Sequence, residues 1–150
     1  MNSAKEKSPT ETLLDEMYKN VKMGADSLVN IMNRADDRAF REELTSQLNR
    51  YEGYAAKVGK MIYDTGSKPK EENPVTRFSA KVGMAMNTMV DSGTSHLAQM
   101  VIEGATMGIT DLTRQVREHE NTTCSESALS MAKDIIRFEE ATVSTMKQYL

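Results

Sequence analysis

The sequence predicts an all-α protein, a four-helix bundle made of two antiparallel helical hairpins. Three observations point there. Gly (8) and Pro (3) are few among 150 residues and Trp is absent, which leaves little material for turns or long loops. Apolar residues recur every three or four positions over four long stretches, the period of an amphipathic helix. Capping signals stand at the start of these stretches.

The first helix is expected over 9–34. "SPTE" at 8–11 places Ser8 three residues before Glu11, a capping box, with Pro9 at the first helical position. Leu13, Leu14, Met17, Val21, Gly24, Leu28 and Met32 then share one face. Asp36 or Asp37 caps a second helix, 37–65, whose stripe is Phe40, Leu44, Leu48, Tyr51, Ala55, Val58 and Ile62, ending before Gly66. "TGSKPKEEN" at 65–73 reads as a solvated linker. A shorter helix is expected over 74–91 after Pro74, with Phe78, Val82, Ala85, Met86 and Met89 inward. "DSGTS" at 91–95 interrupts or kinks it. Residues 74–119 could therefore be one bent helix or two. Thr94 or Ser95 caps the next stretch, 95–119, with Met100, Gly104 and Met107 on its face. "TCSE" at 123–126 is a second capping box and opens the last helix, 124–149. Residues 1–8 are expected to be a disordered tail and 9–150 a single domain, large enough to bury a core. Four helices of about 25 to 29 residues, each ~40 Å long, favour a bundle. The long connection between the hairpins could cross it end to end, leaving the second and third long helices parallel.

Composition narrows the functional classes. Nineteen basic residues against 22 acidic give a net charge of −3, with no basic block, so neither nucleic acid nor an anionic membrane is an expected partner. No apolar run nears the roughly 18 residues of a membrane span. The polar "MNSAKEKSPTE" has no apolar signal core. The single cysteine, Cys124, fits a reducing compartment, and the expected location is cytoplasmic. At the start of the last helix its thiol would feel the helix dipole, but no Cys-His-Asp set accompanies it. Neither a phosphate loop nor zinc spacing is present.

The position that resists a plain core reading is Glu139. In "DIIRFEEATVSTM" it falls near the middle of the stripe of Ile135, Ile136, Val143 and Met146, while Glu140 points about 100° away. A buried acid is costly unless paired, protonated or bound to a cation. With the hairpin turn centred near residue 121, Glu103 lies level with Glu139, about 60° from the centre of its own stripe. The two could share a proton or hold a cation. Gly24 and Gln47 lie at about the same level on the first hairpin, with Tyr51 one turn along and able to hydrogen-bond an acid across the core. His96 lies two turns before Glu103, ~10 Å away along the axis.

"MVIEGATMGITDL" and "IIRFEEATVSTM" in this architecture resemble the ferritin and rubrerythrin superfamily, and in particular its small bacterial members with an incomplete di-iron motif. The resemblance implies a ferritin-like bundle with an extra short helix in the long crossover. In that family two irons are held by Glu from the first and third helices and Glu-x-x-His from the second and fourth. Glu103 matches the third-helix acid and Glu139 the first member of the fourth-helix motif. Thr142 stands in place of its histidine. On the second helix Glu52 is a poor match and Ala55 replaces the histidine, while the first helix offers no acid near Gly24.

Two bland readings compete with sharper ones. Core acids satisfied by Thr142, Tyr51 or water are a plainer reading of Glu103 and Glu139 than a metal site, and a rotation of the bundle would turn an acid outward. "MAMNTM" at 84–89 resembles a soft-metal motif, but only Met86 and Met89 share a face, and core packing is the commoner role of methionine. The resulting expectation is a non-catalytic structural or interaction module with a largely lost di-iron site, forming a homo-oligomer and carrying no cofactor. The alternative is a metal-binding protein holding one iron or manganese ion through Glu103 and Glu139, with Tyr51, His96 and Thr142 nearby, for storage or peroxide chemistry.

Overall fold

The structure, a computed structural model, describes residues 6–70 and 93–150. The helix expected over 74–91, with Met86 and Met89, lies outside the described residues, as do residues 1–5. The described chain forms four long helices: α1 Pro9–Met32, α2 Arg38–Asp64, α3 Thr94–His119 and α4 Glu126–Met146, followed by a 3-10 turn over Lys147–Tyr149. No strand occurs among the described residues.

Local chemistry explains most helix ends. Ser8 accepts from the Glu11 backbone N–H (3.2 Å), with Pro9 beside it at the first helical position. Asp37 accepts from the Phe40 N–H (2.8 Å) and is the cap of α2. The α2 end is a Schellman turn: Gly66, at φ 89°, donates to the Tyr63 carbonyl and Ser67 to that of Ile62. Two expected caps move. α3 starts after Gly93 with no side-chain cap, so neither Thr94 nor Ser95 serves. α4 is capped by Ser125, which accepts from Ala128 N–H (3.2 Å), two residues beyond the expected Thr123.

Contacts between helices fix the directions. Ser125 N–H donates to Thr10 Oγ1 (2.9 Å), placing the α3–α4 turn at the start of α1. Asn20 Nδ2 donates to the Gly108 carbonyl (3.0 Å) further along, so α1 and α3 are antiparallel. At the other end the Phe40 and Tyr149 rings meet edge to face at 5.2 Å, joining the start of α2 to the end of the chain. α2 and α3 therefore run parallel, each antiparallel to α1. α1 packs against both α2 and α3, and α3 against α4; α4 touches α1 and α2 more sparsely.

The core is filled by Leu13, Leu14, Met17, Ile31, Phe40, Leu44, Leu97, Leu112, Ile135 and Met146, all essentially inaccessible. Of the face expected for α3, Met100 is buried in the core, but the buried stripe is centred elsewhere and Met107 is exposed. Leu97, Val101, Ala105, Leu112 and Val116 point inward, about 100° around the helix from Met100, Gly104 and Met107. Branched aliphatics outcompete methionine for the central stripe, because each fills a fixed volume with less rotamer entropy lost. No helix among the described residues is long and apolar enough to cross a membrane.

Candidate functional site

One residue from each helix meets at a single level of the bundle: Gly24 of α1, Tyr51 of α2, Gly108 of α3 and Glu139 of α4. The two glycines make the room. A Cβ on Gly24 would collide with the Tyr51 ring, and one on Gly108 with the Glu139 carboxyl. The Tyr51 ring is held edge-on to Phe138 at 4.8 Å, and the Arg50 guanidinium covers Phe138 at 4.6 Å. So fixed, the Tyr51 hydroxyl donates to Glu139 Oε2 at 3.2 Å.

Glu139 is 2% exposed. Burial pushes its carboxyl up to about 8, opposed by the hydrogen bonds of Tyr51 and Asn20 and reinforced by the charge of Asp111. Near neutral pH the acid is therefore mostly protonated. Burial, then the neighbouring Glu139, hold the Tyr51 phenol well above its ordinary value, so it remains a donor. Glu139 Oε1 has no hydrogen-bond partner, and neither has Asn20 Oδ1 beside it.

Glu139 and Tyr51 form part of the wall of a cavity of about 790 Å³ between α1 and α3. Met23, Leu28, Ile31, Met100, Val101 and Leu112 supply apolar wall, and charged side chains of α1 ring the mouth. This size and mixture suit a small organic molecule. Met100, Gly104 and Met107, the face expected to be core, all line this cavity, and Met100 is also part of the core.

The structure separates the two acids that the sequence pairs. Glu103 is exposed, on the side of α3 opposite the core, and accepts from Gln99 Nε2 at 3.1 Å. The rotation of α3 and the later start of α4 bring Gly108, not Glu103, against Glu139. Thr142 is buried one turn beyond Glu139, and His96 is half-buried near the opposite end of α3. Glu52 is exposed. The carboxylates needed for a pair of metal ions are thus reduced to one, and the donor set does not fit a di-iron centre. Among the described residues no group of three His, Cys, Asp or Glu side chains is placed to hold a metal ion. Sequence reasoning missed Asn20, Ser27, Gly108 and Gln115 at the cavity. Gly108 had a signal, since it continues the Leu97, Val101, Leu112 stripe, where a glycine marks a close approach.

Neither a family model nor a curated protein matches the sequence. The chain is similar to a solved structure, "YcfI, a putative structural protein from Rhodopseudomonas palustris", at 14% identity and a TM-score of 0.77, over 98% of each chain. At that identity the likeness is one of fold alone.

Proposed function

We propose that the protein is a non-catalytic binding module of ferritin-like type, in which the position of a metal centre has become a pocket for a small organic molecule. The observation that carries this reading is the four-helix layer. Where a carboxylate centre would draw ligands from every helix, α1 and α3 contribute glycines and α2 a tyrosine, and a cavity of about 790 Å³ adjoins the one acid that remains. The parallel α2 and α3 support the ferritin-like part, and so does the inward Glu139 at the fourth-helix motif position. The structural role in the neighbour's description accords with a non-catalytic part.

An uncharged fluorescent probe, N-phenyl-1-naphthylamine, tests the pocket. Saturable one-to-one binding is expected, displaced by 1-octanol and lost in Gly104→Trp, which fills the cavity from α3. Binding that is unsaturable, or unchanged in a folded Gly104→Trp protein, would remove the pocket from the reading.

A further inference from the structure

The cavity is unbalanced in its hydrogen bonding. Four residues on its wall carry buried side-chain oxygens with no partner: Asn20 Oδ1, Ser27 Oγ, Gln115 Oε1 and Glu139 Oε1. The donors nearest the acid are already engaged, Tyr51 Oη–H on Glu139 Oε2 and the two N–H groups of the Asn20 amide on the Gly108 carbonyl and on the Glu139 carboxyl. Lys7 at the mouth is engaged with Asp15, and Lys19, Lys22 and Lys70 are exposed at the rim. Ser27 and Gln115 can donate as well as accept, and the lysines stand at the rim, so close to the acid the unmet groups are the oxygens of Glu139 and Asn20. A buried unsatisfied oxygen is destabilising until a donor reaches it. The occupant that completes the site brings its own N–H groups.

Resting on the pocket reading above, we propose that the α1/α3 cavity binds a primary amine with an apolar body, its ammonium seated between Glu139 Oε1 and Asn20 Oδ1. An ammonium carries three donors and no acceptor, the complement of these two oxygens. The apolar surface of Met23, Leu28, Ile31, Met100, Val101 and Leu112 takes the hydrocarbon part, which an inorganic cation would leave uncovered. Glu139 can ionise when the cation arrives: its proton passes to the solvent, and a buried neutral acid becomes a paired carboxylate. The negative charge of Asp111, felt at Glu139, opposes that ionisation in the empty site and attracts the incoming cation.

The test uses three eight-carbon probes that differ only in the head group: n-octylamine, 1-octanol and sodium octanoate, titrated calorimetrically into the full chain at pH 7. Octylammonium is expected to bind at least tenfold more tightly than octanol, and octanoate most weakly. In Glu139→Gln, a neutral isostere of the protonated acid, the preference for octylammonium over octanol should fall to within about threefold. Asn20→Leu leaves the carboxyl in place and should also weaken the amine several-fold. Octanol binding as tightly as octylamine would overturn the amine inference and leave the pocket standing. A preference unchanged in Glu139→Gln would overturn it too. Failure of all three probes, with the naphthylamine test negative, would remove the pocket reading itself.

Discussion

Glu139 holds the most consequential proton in the molecule. Its carboxyl titrates near 8 in the folded chain against an ordinary value of 4.5. Between those values the native state keeps a proton that the unfolded chain has lost, so stability falls as pH rises from about 4.5 to about 8 and then levels off. The contribution is on the order of 3 kcal/mol between pH 5 and pH 8. Glu139→Gln should remove most of that slope and leave a protein more stable than the wild type at pH 8. Urea unfolding at the two pH values measures it, and parallel profiles for the two proteins would contradict the assignment. Tyr51→Phe deletes the donor that favours the carboxylate, so the Glu139 titration followed by carbon NMR should move to higher pH in that variant. The inward direction of Glu139 was legible because it lies at the centre of a strong stripe. Its neighbour was not: pairing it with Glu103 required the turn and the helix face together to within one residue.

Helix ends and helix faces divide in the same way. Ser8, Pro9 and Asp37 could be read directly, since each cap is satisfied by atoms three residues away. "TCSE" offers two hydroxyls with overlapping capping geometry, and only packing selects Ser125, whose backbone N–H is also held by Thr10. Ser125→Ala should therefore cost about 1 kcal/mol, and Thr123→Ala a few tenths at most, by thermal or urea denaturation. A reversed order would restore the earlier cap. At Gly108 an added methyl has to displace the Glu139 carboxyl, which the Tyr51 hydroxyl holds in place. Gly108→Ala should destabilise by about 1–3 kcal/mol, with overpacking outweighing the gain in helix propensity. In a Glu139→Ala background the same substitution should become neutral or stabilising, and a double-mutant cycle reads the coupling. The stripe marks Gly108 as a place of close approach, but propensity alone does not show that the group approaching it is the Glu139 carboxyl of α4.

At the scale of the molecule, the all-helical class and the four long helices among the described residues follow from periodicity, and the long connection allows the second and third of them to run parallel. The cavity does not, because it depends on how far α1 and α3 stand apart and on which face of α3 turns inward. The Tyr51–Glu139 hydrogen bond joins α2 of one hairpin to α4 of the other, and Asn20–Gly108 and Thr10–Ser125 also link the two. The contacts within each hairpin are local in sequence, whereas these links close loops of 88 and 115 residues. Local contacts form early and distant ones late. The hairpins should therefore behave as two separately assembling halves, with the acid losing its water only as they close on each other. In stopped-flow refolding, the phase that reports on docking should slow as pH is raised from 5 to 8 in the wild type and stay level in Glu139→Gln, making one carboxyl proton the timer of assembly.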